Sequence, residues 1–364
     1  MMRWWLGRGV DGFRMDVINM ISKDLEAGVF FQGPRLHEFL AEMNREVFAP
    51  HPDRLLTVGE MPTVTVEQAV AFTDPARAEV DMVFQFEHVN LDQGTNKWDV
   101  RPLDLRLLKA SLGRWQVGLA DVGWNSLYWN NHDQPRAVSR FGSDEPEHRV
   151  AAAKLLATVL HMHRGTPYVY QGEELGMTNT PFASATDFRD IESVNHLAAA
   201  VASGQPVDEV LVGLRAMSRD NARSPVQWDD SPNAGFTTDI PWSPVNPNYR
   251  EINAAAQWAD PDSVLHHYRA VIALRHHEST VVHGDFVMLL PDDPAIYAFT
   301  RRLNAVELLV VANFSAETVT ADLPDLSTWD DAELVLGNLA AKPELPASSP
   351  LRPWEARILR RVRD

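Results

Sequence analysis

The strongest constraint on the fold is a regular alternation of short apolar runs with helical patterns. Five strand-like runs are bounded by glycine, proline, asparagine or aspartate. They lie at residues 9–17, 55–58, 82–86, 126–129 and 167–170. Apolar residues at three- to four-residue spacing predict helices at 34–48, 147–162 and 263–275. The alternation predicts an α/β fold of repeated βα units around a largely parallel sheet.

The pattern changes twice towards the end of the chain. Roughly 90 residues rich in proline, asparagine and aspartate, at about 175–262, separate the fifth run from the helix at 263, and such a long excursion usually carries function. From residue 278, short strands at 286–290, 296–299, 308–312 and 356–359 follow one another without long helices. We therefore expect a catalytic region over 1–277 and a separate all-β domain over 278–364, built as an antiparallel β-sandwich.

The overall charge narrows the class of ligand. The chain has 364 residues, with 33 Lys and Arg against 50 Asp and Glu, giving a net charge of −17. Nucleic-acid binding requires clustered cations, so this balance argues against it. The absence of cysteine rules out disulfides, cysteine nucleophiles and thiolate metal sites. The acidic balance suits a neutral or cationic ligand instead. No apolar run approaches the roughly 18–20 residues of a membrane helix, so we expect neither nucleic acid nor a membrane as a partner.

Carboxylates follow three of the predicted strands. Arg14 and Asp16 are two residues apart, so their side chains share one face of the first strand. Glu60 ends the second strand, and Asp133 follows the fourth. A single aspartate after a strand is usually a turn former or helix cap. Three acids at the carboxyl ends of parallel strands are instead typical of an active site at the mouth of a barrel.

Two kinds of chemistry fit these three acids. Carboxylates are suitable ligands for Mg²⁺, Mn²⁺ or Ca²⁺. Alternatively, cleavage of a glycosidic bond needs one carboxyl group as proton donor and one carboxylate against the anomeric carbon. Arg14 favours the second interpretation, because a neighbouring cation keeps a carboxylate ionised and repels a divalent ion. The pattern alone leaves both open.

These residues also resemble a known family, glycoside hydrolase family 13. The matching segments are GFRMD at 12–16, GE at 59–60 and NHD at 131–133. Further segments resemble the oligo-1,6-glucosidase and α-glucosidase subgroup: FEH at 86–88, GTP through YQGEE at 165–174, and SRDNARSPVQW at 218–228. The resemblance extends from residue 3 to 361 and implies a (β/α)₈ barrel with a C-terminal β domain.

The resemblance implies specific roles for the strand-end residues. It makes Asp16 the nucleophile and Glu60 the general acid and base, while Asp133 holds the 2- and 3-hydroxyls of the sugar. Arg14, His132 and Arg219 would bind glucose in the first subsite, although Arg223 competes with Arg219 for that role. A retaining mechanism further predicts Asp16 and Glu60 carboxyls roughly 5–5.5 Å apart.

The resemblance also suggests a linkage preference. In this subgroup, valine directly after the nucleophile is associated with α-1,6 bonds, and Val17 occupies that position. Sucrose isomerases share the valine but carry an arginine-rich stretch where residues 90–94 read NLDQG, so hydrolysis is favoured over isomerisation. The expected reaction is release of glucose from the non-reducing ends of isomalto-oligosaccharides. Trehalose-6-phosphate hydrolysis and α-1,4-glucosidase activity remain alternatives.

In the family, three βα units precede the strand that contains Asp16. We therefore expect five of the eight barrel strands, that is, a partial (β/α)₈ barrel from an N-terminally truncated enzyme. An inactive fragment is the alternative. No cofactor is expected, and a family Ca²⁺ site, where one occurs, would lie in the upstream part. The expected location is the cytoplasm, and the oligomeric state is left open.

Overall fold

The computed structural model describes residues 1–323, 326–340 and 349–363. Contacts between Cα atoms divide the chain into two compact units. The first comprises residues 1–88, 110–127 and 164–167, and the second comprises residues 89–109, 128–163 and 168–364. Each unit is described separately below.

The first unit is built on short parallel strands that are neighbours in chain order. Three of them form one sheet in the order β1-β2-β3, and the last two pair as β4-β5. A parallel bridge from Val83 to Asn125 links β3 to the residue before β4. The strands are β1 (Gly12–Met15), β2 (Leu56–Glu60), β3 (Met82–Phe84), β4 (Ser126–Leu127) and β5 (Thr166–Pro167). All five predicted strands have a counterpart, although the fifth, predicted at 167–170, overlaps β5 only at Pro167. Sequential parallel pairing is the arrangement of a barrel wall.

Helices of this unit alternate with the strands. They are α1 (Met2–Leu6), α2 (Leu36–Met43), α3 (Val66–Thr73) and the part of α4 (Leu105–Gly118) from Ala110 onwards. Helix α2 continues into a π-helical turn over Asn44–Phe48, so the predicted helix at 34–48 is confirmed. The apolar faces of α2 and α3 bury Leu36, Leu40 and Phe72 in one core with Val83. This burial follows from the amphipathic spacing of the helices.

The second unit holds most of the remaining helices. They are α5 (Ala137–Phe141), α6 (Arg149–His161), α7 (Ile191–Ala202), α8 (Val207–Met217), α9 (Ala254–Ala259), α10 (Val264–His277) and α11 (Ser279–His283). The predicted helices at 147–162 and 263–275 are confirmed as α6 and α10. The excursion at 175–262 contains α7, α8 and the short α9, which its proline- and asparagine-rich composition does not predict.

One antiparallel sheet ends the second unit. Its strands are β6 (Asp285–Leu289), β7 (Ile296–Leu303), β8 (Val306–Asn313), β9 (Glu333–Gly337) and β10 (Ala356–Val362), in the order β6-β7-β8-β10-β9. The four predicted strands are confirmed, and β9 is additional. Strands β7 and β8 are mostly buried, which explains the apolar runs IYAF at 296–299 and LLVVA at 308–312 within them.

The C-terminal antiparallel domain that we expected is present, and its described residues form this one sheet rather than two. Within the described ranges, Ala321, Leu323 and Trp329 pack on one face of the sheet, beside an isolated bridge between Val319 and Leu351. The domain boundary near residue 278 stays a prediction. No helix in the described part of the chain has the length and apolarity needed to cross a membrane.

Candidate active site

An ion pair marks the carboxyl end of β1. Arg14 lies in the strand and Asp16 directly follows it, and Arg14 Nη1 donates to Asp16 Oδ1 at 2.5 Å. Alternation along an extended chain places residues two apart on the same face, so the sequence spacing produces this contact. The Asp16 side chain is 71% exposed, so its carboxylate is held by the arginine while remaining open to solvent.

The same guanidinium reaches the neighbouring strand. Glu60 is the last residue of β2, and its Oε2 forms an ion pair with Arg14 Nη2. In contrast to Asp16, the Glu60 side chain is only 10% exposed. Arg14 therefore holds both predicted catalytic carboxylates, one exposed and one buried, through its two terminal nitrogens. The planar fork of arginine suits such bridging, whereas a single ammonium group does not.

Close packing of the two strands sets this geometry. Arg14 is in register with Val58, and Gly12 with Leu56. A Cβ atom at Gly12 would lie 2.2 Å from the backbone oxygen of Leu56, so only glycine permits the observed approach. The resulting register brings the ends of β1 and β2 level, which places Arg14 within reach of Glu60.

Val17 adopts a backbone conformation that is unusual for its residue type. Its φ and ψ are 37° and 42°, in the left-handed region. A β-branched residue rarely occupies this region, and such strain concentrates at functional sites. The turn at Val17 begins a short 3₁₀ helix, Ile18–Met20, immediately after Asp16. The residue predicted to influence linkage preference therefore forms the sharp turn that follows the predicted nucleophile.

A second cluster lies in the other unit and is centred on Asp133. Arg223 Nη2 donates to Asp133 Oδ1 at 2.6 Å, and Arg219 Nη1 lies 3.8 Å from Asp133 Oδ2. Arg223 Nε also donates to the backbone oxygen of His132 at 3.1 Å. The His132 ring is about half exposed, with Nε2 3.8 Å from Asp133 Oδ1. Both arginines that the sequence offered contact Asp133, and Arg223 is the nearer one.

The charges of this cluster act on the titration of Asp133. Burial alone would raise the pKa of this carboxyl, but the hydrogen bond from Arg223 and the charge of Arg219 outweigh it. The net result is a pKa below the usual range of aspartate. For Arg223, burial lowers the pKa, yet the bonds to Asp133 and Asp190 outweigh it and leave that pKa raised. Asp133 is therefore an ionised acceptor at neutral pH.

Three residues that the sequence did not single out complete the cluster. Asp190 Oδ2 pairs with Arg223 Nη1 at 2.5 Å, and Glu192 Oε2 lies 3.1 Å from Arg219 Nε. Lys97 Nζ contacts the same Glu192 oxygen at 2.6 Å. Asp190 caps α7 and Glu192 lies in its first turn, so a helix that the sequence did not reveal positions both.

The segment that carries the two arginines is itself held by a buried acid. Asp220 Oδ1 accepts from the backbone nitrogens of Arg189 and Asp190, at 2.7 and 3.0 Å. Its Oδ2 accepts from the hydroxyls of Ser193 and Ser218, at 3.0 and 2.7 Å. These bonds fix the 3₁₀ turn that starts at Arg219 to the start of α7, which explains why the arginines and their carboxylate partners lie close together.

The sequence-predicted site residues thus fall into two groups. Arg14, Asp16 and Glu60 contact one another in the first unit, with Val17 adjacent in the chain. Asp133, His132 and Arg219 lie together in the second unit. Their catalytic and binding roles stay predictions. Among the described residues, no group of three or more His, Asp or Glu side chains is arranged to hold a metal ion.

Two family models match the chain. The model described as the alpha amylase catalytic domain matches residues 1–284, and that described as the maltogenic amylase C-terminal domain matches residues 286–358. The first covers more than half of the chain and includes Asp16, Glu60 and Asp133. The second covers most of the antiparallel sheet.

Individual relatives agree with these models. An oligo-1,6-glucosidase of Parageobacillus thermoglucosidasius is 50% identical over 98% of the chain, and a trehalose-6-phosphate hydrolase of Bacillus subtilis (strain 168) is 46% identical over 99%. The chain spans 66% of the length of each. The crystal structure of a trehalose-6-phosphate hydrolase from Bacillus licheniformis superposes with a TM-score of 0.93 at 42% identity, covering 100% of this chain and 67% of that one. The chain belongs to the alpha-amylase family, glycoside hydrolase family 13.

Proposed function

We propose that the protein hydrolyses α-glucosides with retention of configuration, releasing glucose from the non-reducing ends of α-1,6-linked isomalto-oligosaccharides. The observation that carries this proposal is the bridge from Arg14 to both Asp16 and Glu60. Two carboxyl groups spanned by one guanidinium are close enough to act on one bond, as a retaining glycosidase requires. The family supports this assignment.

The proposed reaction has two steps. In the first, a carboxylate oxygen of Asp16 bonds to the anomeric carbon while the bond to the glycosidic oxygen breaks. Glu60, which must first bind a proton and leave its ion pair with Arg14, gives that proton to the departing oxygen. In the second, Glu60 takes a proton from water, whose oxygen bonds to the anomeric carbon as the bond to Asp16 breaks. The exposed Asp16 suits attack on an incoming sugar, and the bond from Arg14 orients its carboxylate.

The cluster around Asp133 supports a neutral sugar as the substrate. We propose that Asp133 accepts hydrogen bonds from the 2- and 3-hydroxyls, which strengthen as the ring flattens in the transition state. In this cluster three cations, Lys97, Arg219 and Arg223, are paired with three carboxylates, Asp133, Asp190 and Glu192. Because the charges balance, the cluster offers no excess positive charge for a phosphate group.

The α-1,6 preference rests on the relatives and on Val17. The relative at 50% identity bears the name oligo-1,6-glucosidase. A stiff β-branched side chain excludes one linkage geometry by shape, which is worth about 1–3 kcal/mol of discrimination. The partner we propose is therefore a small oligosaccharide, and the proposed location remains the cytoplasm.

Turnover by the purified chain tests the proposal. Isomaltose, maltose and trehalose 6-phosphate are supplied separately at equal concentrations, and released glucose is measured. We expect isomaltose to be the preferred substrate and Asp16→Asn to abolish its hydrolysis. If trehalose 6-phosphate is the preferred substrate, the proposed α-1,6 specificity is wrong. Turnover unaffected by Asp16→Asn would refute the mechanism. Absence of turnover by the folded chain would support the inactive-fragment alternative.

A further inference from the structure

Among the described residues of the second unit, Arg136 is the most deeply buried cation, with 0% of its surface exposed. Its guanidinium donates to the backbone oxygens of Gln171 at 2.6 Å, Asn221 at 3.1 Å and Ala222 at 3.3 Å. It also donates to the hydroxyl of Ser224 at 3.3 Å. The four acceptors come from two separate segments of the chain. All four are uncharged, so a full positive charge is held by carbonyl and hydroxyl oxygens.

Such a charge is unfavourable unless its hydrogen bonds are satisfied, since burial removes its hydration. Burial lowers the pKa of Arg136 to about 10, which still leaves it protonated at neutral pH. Removing the guanidinium would leave these buried carbonyl and hydroxyl oxygens without their donor, which costs stability. The planar fork of the arginine also fixes the positions of the backbone groups that it joins.

Arg136 follows Asp133 by three residues and directly precedes α5. Its acceptors Asn221 and Ala222 lie in the 219–223 segment, whose two end residues are the arginines that contact Asp133. One guanidinium therefore ties the backbone near Asp133 to the backbone between Arg219 and Arg223. A further bond holds this segment at Ala222, whose backbone oxygen accepts from the Tyr170 hydroxyl at 3.0 Å.

We propose that Arg136 is a positioning residue: it fixes the segment of Arg219 and Arg223 against that of Asp133, and so maintains the 2.6 Å bond between Arg223 and Asp133. It acts through backbone carbonyls and contacts no sugar. The Nε–H group of Arg223 donates to the His132 backbone oxygen at 3.1 Å. Its NMR signal is therefore a probe of the position of the 219–223 segment relative to His132 and Asp133. Loss of Arg136 would free the segment and expose that proton to solvent.

The first test needs no catalysis. The full chain is labelled with ¹⁵N-arginine, and the Nε–H signal of Arg223 is assigned by its loss in Arg223→Lys. In Arg136→Met we expect this signal to shift and to exchange rapidly with water. Arg275→Met is the matched control. Burial also lowers the pKa of Arg275 to about 10, and it also donates to backbone oxygens, those of His161 and His163. The control should leave the Arg223 signal unchanged.

An unchanged, protected Arg223 signal in folded Arg136→Met would overturn the proposal. Should that variant fail to fold, Arg136→Lys takes its place. Its single ammonium group cannot satisfy both segments, so the same change in the signal is expected, and an unchanged signal again overturns the proposal.

The second test rests on the proposed function. We expect Arg136→Met to lower kcat/KM for isomaltose about 10- to 100-fold, the loss expected from misplacing a binding group by about 1 Å. The double variant Arg136→Met/Arg223→Met should lose little more than Arg223→Met alone, because Arg136 acts through Arg223. Losses that multiply would overturn the proposal. An inactive wild-type chain would refute the proposed function and leave the spectroscopic test intact.

Discussion

Arg14 in β1 and Asp16, directly after the strand, form an ion pair of 2.5 Å, and the same guanidinium contacts Glu60 at the end of the next strand. One cation thus holds two carboxylates with very different exposure. Such an arrangement orients both groups before a substrate arrives, which is the preorganisation that electrostatic catalysis depends on.

Removing this cation is expected to affect catalysis more than folding. Arg14→Met should lower kcat/KM for isomaltose by at least about 100-fold, since charge-assisted hydrogen bonds to both carboxylates disappear. Arg14→Lys should lose less, because it keeps the charge but cannot bridge both acids. Arg8→Met is the control, since Arg8 packs over the Trp4 ring. Steady-state kinetics measure kcat/KM for the three variants, and we expect Arg14→Met to have the lowest value, then Arg14→Lys, then Arg8→Met. Activity of Arg14→Met within about threefold of wild type would contradict the bridging role.

The titration of Asp133 should depend on Arg223. Arg223→Gln removes both the hydrogen bond and the charge, so the pKa of Asp133 should rise towards the usual range of aspartate. Carboxyl ¹³C NMR, with the signal assigned by Asp133→Asn, measures this pKa directly. Arg215→Gln is the control, because Arg215 donates to the backbone oxygens of Phe182 and Ala183. An Asp133 pKa that is the same in wild type and Arg223→Gln would contradict the account.

The lowered pKa of Asp133 also affects the stability of the protein at acidic pH. A carboxyl whose pKa is lowered by folding stabilises the protein above its unfolded pKa, and that contribution is lost as the pH falls through the folded pKa. Acidification below the usual pKa of aspartate should therefore narrow the difference in Tm between wild type and Arg223→Gln.

Glu173 should produce the opposite pH dependence. Burial raises the pKa of its carboxyl to about 8, with a further contribution from Glu174, against the hydrogen bond that the Tyr268 hydroxyl donates at 2.7 Å. Folding therefore favours the protonated form, a contribution that is fully present at acidic pH and lost as the pH rises through about 8. Relative to Glu173→Gln, the Tm of wild type should fall between pH 5 and pH 8.5. The lower test pH lies near the ordinary pKa of a glutamate, and the higher one lies near the raised pKa of Glu173.

Thermal unfolding across this pH range checks the expectation for Glu173. Glu209→Gln serves as the control, since Glu209 is exposed in the first turn of α8 and should give parallel curves. Parallel curves for wild type and Glu173→Gln would show that the buried carboxyl titrates normally.

Val17 should influence which linkage is cleaved. Val17→Ala removes the β-branched shape on which the exclusion of one linkage depends. We expect the ratio of kcat/KM for isomaltose to that for maltose to fall about 10- to 100-fold, the range available to a single pocket contact. Val117→Ala, at an exposed position of α4, should leave the ratio unchanged. An unaltered ratio in Val17→Ala would show that Val17 does not determine the linkage preference.

Much of the fold follows from local pattern. Each barrel strand lies within or next to a short run rich in apolar residues, and α6 and α10 have regular apolar spacing. Both patterns can be recognised without knowledge of distant residues. The contact of Arg14 with Asp16 follows from strand alternation alone. Its contact with Glu60 requires the register of β1 with β2, which the close approach at Gly12 fixes and which the sequence does not display.

The second cluster was only partly predictable. From the sequence, Arg219 and Arg223 are both candidates for binding sugar next to Asp133. Their distances to Asp133 depend on how Asp220 fixes the 219–223 segment, which the sequence does not show. Lys97 and Glu192 are 95 residues apart in the chain, and no local pattern links them. Helices α7 and α8 were not predicted, because they lie between stretches rich in proline and asparagine. The expectation that the long excursion carries function is consistent with the positions of Asp190, Glu192, Arg219 and Arg223.

Covalent labelling identifies the carboxylate that bonds to the sugar, and so tests whether Asp16 is the nucleophile. The folded chain is incubated with 5-fluoro-α-D-glucosyl fluoride, a slow substrate that traps the glycosyl-enzyme of retaining α-glucosidases, and its peptides are analysed by mass spectrometry. We expect one fluoroglucosyl group on the peptide that contains Asp16, and none in Asp16→Asn. A label on Glu60, or no label on the folded wild-type chain, would contradict the assignment of Asp16 as the nucleophile.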